Sequence, residues 1–435
     1  GYSAYTAYLC WGMSFTGFNG AVIQDNFSLF FKGIFLLCAA LTVLISDYYF
    51  KREECNHGEL YPMILFATAG MMLMASGTDL MTIFLGLELL SVSLYILAGF
   101  NRKNVKSNEA GLKYFLLGAF STGFLLYGMA LIFGATGSVR LDKIASAALR
   151  PEVHGNTLFL VGMILMAVGF SFKIAAAPFH MWTPDVYEGA PTPITAFMSA
   201  GPKAAGFAAF IRVMLVAMPL LKYDWTSLIA ILAVITMTVG NLIALNQDNI
   251  KRMLAYSSIA HAGYALVGFT AANQVGVAGI LFYLLSYTFM NIGAFAIIIL
   301  VGKKGDANNN VMDYAGLASR RPVLAAVMAI FLFSLAGIPP FAGFMGKFYL
   351  FGGAIQAGYL WLAIIGVLNS AASVYYYLRV MVYMYMKEPE QDFAWAKTTP
   401  AIFVALSIAL AGVVIPGLLP QSLLSLAQQA LTLPF

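Results

Sequence analysis

Lysine and glutamate inside apolar runs are groups that can hold and pass protons. The sequence places Glu88 in "TIFLGLELLSVSLY", Lys173 in "GFSFKIAAAPFHMWTPDVYEGAPTP", Lys203 in "AGPKAAG" and Lys347 in "SLAGIPPFAGFMGKFY". An ionised Lys or Asp at the centre of a spanning helix costs roughly 2.5–3.5 kcal/mol. Four such groups together cost on the order of 10 kcal/mol, comparable to the stability of a whole domain. They persist only where they face a bundle interior, pair with one another or meet water. One carboxylate cannot pair three lysines, so a purely structural ion pair does not account for the set. Titratable groups at different depths suit a proton relay.

Two further residues are candidates for the same relay, each with a plain structural alternative. His261 in "YSSIAHAGYALVG" is the only histidine in the middle of a span. Its near-neutral pKa suits proton transfer, although a lone His can equally be a packing residue. Lys113 follows Glu109 by one helical turn, which is also the spacing of a simple i,i+4 ion pair. Lys32 and Arg212 lie near helix ends and are expected to snorkel to the headgroups; Arg379 is expected to snorkel or pack between helices. His57, His154 and His180 have no companions at metal-ligand spacing, and Cys10, Cys38 and Cys55 are scattered, so no metal site is predicted.

The elements that must position these residues follow from composition. Hydrophobic residues make up 61% of the chain and charged residues 10%, against about 25% charged in soluble domains. The chain is therefore read as an all-α polytopic membrane protein. Nucleic acid is not implied by the +5 net charge, because the basic residues fall in loops. Spans of roughly 20 apolar residues are read at 28–47, 60–77, 79–99, 108–134, 157–182, 193–218, 226–246, 253–272, 275–301, 322–356, 359–387 and 399–419. Residues 1–27 read as an N-terminal remnant that includes the end of a truncated helix, and 28–435 as one transmembrane bundle.

One set of alternate loops holds Lys51, Arg52, Arg102, Lys103, Lys106, Lys251, Arg252, Lys303, Lys304, Arg320, Arg321, Lys387 and Lys397. The other holds only Arg140, Lys143, Arg150 and Lys222. Because Lys and Arg accumulate on the cytoplasmic side, the first full span is expected to run inward and the C-terminus to lie outside. Glu88 and Lys203 then fall near the midplane, Lys173 in the cytoplasmic half and Lys347 in the outer half.

A straight helix over 322–356 would be ~51 Å long against a hydrocarbon core of ~30 Å. Pro339 and Pro340, flanked by Gly337 and Gly343, are expected to break it. A second break is expected around Pro178. Two lysine-bearing discontinuous helices in opposite orientation suggest inverted repeats, approximately 60–218 and 226–387. Non-helical backbone at depth must be satisfied by protein or water, so hydrated cavities are expected beside Lys173 and Lys347. Lys173 is expected to switch its protonation with its pairing to Glu88.

"FLGLELLSVSLYILAGF", "EAGLKYFLLGAFSTGFLLYGMAL", "GFSFKIAAAPFHMWTPDVYEGAPTP", "NIKRMLAYSSIAHAGY" and "SLAGIPPFAGFMGKFY" together resemble the antiporter-like proton-translocating subunits of respiratory complex I. Multisubunit cation/proton antiporters and membrane-bound hydrogenases share this family. The resemblance implies fourteen helices, with the first two absent or cut short here. It matches Glu88 to the glutamate of the family's fifth helix and Lys173 to the lysine of its broken seventh. Lys203 matches the central lysine of the eighth helix and Lys347 the terminal lysine of the broken twelfth. Some members carry glutamate at that last position, and others add a long lateral C-terminal helix; this sequence does neither. The resemblance implies a subunit of a redox-driven proton pump in the bacterial inner membrane, with a periplasmic C-terminus. No cofactor is expected in this chain; NADH, FMN, iron–sulfur clusters and quinone belong to partner subunits. The expected partners are the other membrane subunits of complex I, including further antiporter-like ones, and lipid. The alternatives are a cation/proton antiporter or hydrogenase-type complex, and a structural subunit without transport of its own.

Overall fold

Helix starts in this chain are set by short polar residues. Asp25 accepts a hydrogen bond from the Ser28 amide while Ser28 Oγ returns to the Asp25 backbone, a reciprocal cap. Asp79, Asn104, Asn156, Asn249, Asn273 and Thr399 cap other helices through their side chains. The computed structural model describes residues 2–305, 309–388 and 399–433; Lys397 lies outside the described residues. In chain order the helices are α1 (Tyr2–Leu9), α2 (Asn26–Arg52), α3 (Leu60–Ser76), α4 (Leu80–Ala98), α5 (Val105–Thr136), α6 (Leu141–Ala148), α7 (Pro151–His154), α8 (Thr157–Lys173), α9 (Thr183–Gly189) and α10 (Thr192–Ala217). They continue as α11 (Lys222–Ala244), α12 (Ile250–Thr270), α13 (Gln274–Val301), α14 (Leu317–Arg320), α15 (Pro322–Ala336), α16 (Ala342–Gln356), α17 (Leu360–Met386), α18 (Pro400–Leu418) and α19 (Pro420–Gln429). A small antiparallel hairpin, β1 (Phe15–Gly17) with β2 (Val22–Gln24), precedes α2 and has no counterpart in the sequence reading.

Every expected span has a helical counterpart, and the chain is a multi-pass all-α membrane protein. Eight helices among the described residues are long and apolar enough to cross a bilayer, and α3, α8 and α15 are shorter apolar ones. The helix α12 falls outside both groups because Ser257, Ser258 and His261 dilute its apolar character. That polarity is sheltered: α10, α12 and α13 are buried along almost their whole length. The outward faces of α4, α5, α17 and α18 carry exposed Leu85, Phe120, Val367 and Phe403, as a lipid- or partner-facing shell does.

The structure corrects three local readings. The span expected over 157–182 stops as a helix at Lys173, and residues 174–182 form the irregular connection to α9. Arg212 does not snorkel. It is 3% exposed and holds Asp25 through two hydrogen bonds of 2.9 and 3.1 Å, with Nε on the Ala75 carbonyl. Asp25 sits just before α2, outside any apolar run, so its pairing with α10 is a tertiary fact. Lys251, counted with the loops, is fully buried, and its Nζ donates to the Ala190 carbonyl at 2.8 Å. Arg379 packs between helices, its guanidinium on the Leu245 and Gln247 carbonyls at the end of α11.

Candidate functional site

The first group of the line lies between α4, α5 and α8. Glu88 is half-buried on α4 and accepts from Thr122 Oγ1 of α5 at 3.0 Å. Lys173, the last residue of α8, donates to Ser91 Oγ of α4 at 2.8 Å, one turn beyond Glu88. Among the described residues no ion pair joins Glu88 to Lys173. A void of about 10 Å3 is bordered by Lys173, Ser91, Ser121 and Thr122, room for about one water. The expected direct pair is thus replaced by hydroxyl groups from two helices.

Lys173 also lies 5.8 Å from the centre of the Tyr114 ring, and Trp182 stacks on that ring at 4.4 Å with planes 9° apart. Several backbone groups of the broken segment find partners in the protein. The Ala177 amide donates to Thr236 Oγ1 of α11 at 2.9 Å, and Trp182 Nε1 donates to the Phe172 carbonyl at 3.2 Å. One buried polar atom of the segment, His180 Nδ1, has no hydrogen-bond partner among the described residues.

The second group belongs to α10. Pro202 lacks an N–H, so the Met198 carbonyl one turn earlier loses its helical partner; Tyr187 Oη of α9 donates to it at 3.2 Å. The next residue, Lys203, is 3% exposed, lies 5.9 Å from the Tyr187 ring centre and donates to the Ser258 carbonyl and hydroxyl of α12. Gly206, one turn further, lets the end of α8 approach. A Cβ there would lie 2.8 Å from Ile174 Cγ2 and 3.6 Å from Lys173 Cβ. Lys173 and Lys203 therefore border the same contact between α8 and α10.

Beyond Lys203 the line continues on α12. Ser258, His261 and Tyr264 recur at three-residue steps on one helix face, a spacing that puts side chains above one another. A second void of about 10 Å3 is bordered by Lys203, Ser258, His261 and Tyr287. His261 hydrogen-bonds through Nδ1 to Tyr283 Oη and through Nε2 to Tyr377 Oη, the latter at 3.0 Å; Tyr377 Oη also meets Ser257 Oγ. Tyr264 Oη accepts from Asn241 Nδ2 at 3.0 Å, and Tyr376 Oη donates to Asn241 Oδ1 at 2.9 Å.

Lys347 closes the line. Its Nζ lies 4.6 Å from the Tyr264 ring centre and donates to the Leu335 and Ala336 carbonyls at 3.1 and 3.0 Å, and to Ser370 Oγ at 2.8 Å. Those carbonyls are free because α15 ends at Ala336 and Gly337 turns left-handed at φ +86°. A cavity of about 450 Å3 borders Lys347, but Phe344, Phe348, Phe351 and Val367 wall it. It is apolar, unlike the hydrated cavity expected there.

Lys113 stands apart from the line. It bridges Glu109 at 2.6 Å and Asp185 of α9 at 2.7 Å, at the end of the bundle where α5 begins. Arg252 of α12 holds Asp185 and Glu188 at 2.7 and 2.9 Å, and Lys106 holds Glu188 at 2.8 Å. Burial pushes the Asp185 carboxyl up, but Lys113 and Arg252 outweigh it and hold it below the usual carboxylate range. Glu188 is likewise held low by Lys106 and Arg252 against its burial. The i,i+4 pair read in the sequence is one of five contacts in a six-residue charge cluster that pins α9.

The arrangement is a file of three deeply buried lysines and one half-buried carboxylate, with hydroxyls and one imidazole set beside them in an otherwise apolar bundle. Residues 77–373, which carry the whole file, match the family described as NADH:quinone oxidoreductase/Mrp antiporter, transmembrane. The chain belongs to that family. It is 68% identical to NADH-quinone oxidoreductase subunit N of Trichlorobacter lovleyi, over 100% of this chain and 88% of the relative. Among solved structures it is similar to a chain of respiratory complex I from Thermus thermophilus with bound aureothin. That match has 36% identity and a TM-score of 0.83, and it covers 97% of this chain and 90% of that one. A chain of the Mrp complex from a Dietzia species superposes with a TM-score of 0.84 at 23% identity, covering 94% of this chain and 83% of that one. At that identity the likeness shows a common fold for the antiporter and oxidoreductase branches of the family.

The sequence had no means of finding Thr122, Tyr283, Asn241 or Tyr377 as members of this network. Each comes from a different helix. Ser258 and Tyr264 were visible in principle, since they share the His261 stripe.

Proposed function

We propose that this chain is a proton-translocating membrane subunit of a redox-driven NADH:quinone oxidoreductase. Protons move along Glu88, Lys173, Lys203 and Lys347, with His261 as a link between the last two lysines and Lys113 at the entrance cluster. The observation that supports this best is the burial of three lysines against uncharged partners. Lys173, Lys203 and Lys347 are each at most 4% exposed, and each has an uncharged hydroxyl or carbonyl partner in place of a carboxylate clamp. A lysine held by a tight ion pair keeps its proton; one held by hydroxyls can release it when a neighbouring charge changes. Membership of the family and the 68% identity to a subunit N support the oxidoreductase assignment over the antiporter one.

In this reading the redox chemistry, with its NADH, FMN, iron–sulfur clusters and quinone, resides in partner subunits. The other complex I membrane subunits flank the outward helices, lipid covers the rest, and the C-terminus lies on the periplasmic face of a bacterial inner membrane. Residues 60–218 and 226–387 form the two inverted repeats. Two parallels support that division. Each half holds one broken helix with a lysine at the break. In each, a helical hairpin is joined by close small-residue contact: a Cβ on Gly70 of α3 would lie 2.6 Å from the Gly86 carbonyl of α4, and one on Gly240 of α11 2.7 Å from the Ala260 amide of α12.

Lys203→Met tests the function. In the assembled complex, reconstituted in vesicles, protons pumped per electron are expected to fall, or pumping and electron transfer to slow together if tightly coupled. Unchanged pumping and turnover at matched assembly would remove Lys203, and with it the relay.

A further inference from the structure

Four helix termini at one end of the bundle frame a cavity that the proton file does not use. The helices α2 and α4 end there and α3 and α5 begin, leaving a space of about 980 Å3. Pockets that hold drug-sized ligands run to about 1,000 Å3, so the space suits a headgroup with part of a chain. This end also carries the Lys- and Arg-rich loops, and it lies at the headgroup level of any bilayer that the four helices cross.

The two loops that wall the cavity differ in charge. The connection before α5 contributes Arg102 and Lys103, and neither side chain has an ion-pair partner among the described residues. The connection before α3 contributes Glu54 and Glu59. Glu54 is held by Lys304 at 2.6 Å and feels Lys103 across the cavity; His57 shares this wall, and Glu59 is its carboxylate without an ion pair among the described residues. Beneath the loops Met63, Tyr95, Ile96 and Leu112 form an apolar trough. Ile96 and Leu112 are 48% and 58% exposed, so the trough opens sideways toward the bilayer.

A free anion would answer Arg102 and Lys103 but leave Glu59 and the trough unmatched. A free cation would do the reverse. Basic pockets between helices at a membrane face commonly hold lipid headgroups, and here the opposite wall adds a requirement for positive charge. We propose that this cavity binds a glycerophospholipid of the phosphoethanolamine class. Its phosphate lies against Arg102 and Lys103, its primary ammonium donates to Glu59, and an acyl chain fills the trough. A phosphoglycerol headgroup supplies no ammonium, and a quaternary phosphocholine headgroup has no N–H to donate. The proposal rests on the multi-pass membrane reading and not on the relay assignment.

The test uses the purified, fully assembled complex and a phosphatidylethanolamine with a photoactivatable group in one acyl chain, with labelled peptides identified by mass spectrometry. Labelling is expected within 57–63 and 95–112, displaced by unlabelled phosphatidylethanolamine and several-fold less by phosphatidylglycerol or phosphatidylcholine. Arg102→Ala with Lys103→Ala should lower it about tenfold, the equivalent of one charge-assisted contact. Glu59→Gln should abolish the preference over phosphatidylglycerol while retaining binding. Leu112→Trp, which fills the trough and leaves the charges in place, should also lower labelling. Equal competition by phosphatidylglycerol against the native chain would overturn the proposal. So would displacement by free phosphoethanolamine alone, or label confined to a neighbouring polypeptide that covers the cavity. Pumping measured in the same preparations reads the relay separately, because none of these residues belongs to it.

Discussion

The two broken helices solve the same problem in opposite ways. Lys347 stands past its break and turns its ammonium back onto the carbonyls that the break sets free, at Leu335 and Ala336. Its site is built by its own segment, and Ser370 completes it. Lys173 stands before its break, and its ammonium takes no carbonyl from the break. It reaches across to Ser91 of α4, over the Tyr114 ring. The surroundings also differ. Around the first break, α9 is pinned by ion pairs from α5 and α12. Around the second, an apolar cavity takes their place. A lysine solvated by its own backbone is a fixed station. A lysine solvated by a neighbouring helix can be retuned when that helix moves or when Glu88 changes charge.

The largest effect is expected at the fixed station. Lys347→Ala leaves two carbonyls turned toward an apolar cavity and removes the last titratable group of the file. Protons pumped per electron should fall by roughly tenfold, equivalent to about 1.4 kcal/mol of lost stabilisation, in vesicles at matched assembly. Native-like pumping would mean that the two lysines do not share a path.

Next come the hydroxyl partners. Ser91→Ala removes the one hydrogen-bond acceptor of Lys173 found among the described residues, an effect expected to stay below that of losing a lysine. Ser370→Ala leaves Lys347 its two carbonyls. Pumping should therefore suffer more from Ser91→Ala than from Ser370→Ala. The reverse order would show that the contrast between the two sites has been drawn backwards.

Backbone changes should separate the breaks more gently. Gly337 sits at φ +86°, and a Cβ there would lie 3.0 Å from Lys347 Cδ, so Gly337→Ala should cost about 1–2 kcal/mol from the left-handed backbone alone. The first break carries Ala175 at φ +61°. Ala175→Gly relieves similar strain but adds about 0.5–1 kcal/mol of chain entropy to be lost on folding. Thermal unfolding of the detergent-solubilised complex should show a clear drop for Gly337→Ala and little change for Ala175→Gly. Equal drops would rule out the different backbone roles.

The smallest difference concerns acid. Asp185 and Glu188 titrate below their unfolded values near pH 4. Their contribution is therefore complete above that pH and is lost as pH falls through the depressed folded values. Hydrogen exchange, corrected for intrinsic rate, should rise at 174–190 on acidification below about pH 4 and stay level at 337–342. Asp185→Asn should weaken that rise. A response of both breaks alike would mean that the charge cluster does not distinguish them.

By itself the sequence determined the solvent, the spans, the breaks and the residues worth testing. Those rest on local chemistry: apolar run length, proline without an N–H, and the cost of a charge in lipid. Glu88, Lys173, Lys203, His261 and Lys347 were legible because each breaks the apolar pattern around it. Only the tertiary structure decided what each one touches. Ser91 in place of Glu88 beside Lys173, Asp25 on Arg212, and Asp185 on Lys113 all join residues far apart in the chain. No periodicity within a single helix records the rotation and depth at which two helices meet. The small hydroxyls that hold the lysines look like ordinary span residues until packing brings them within hydrogen-bond reach.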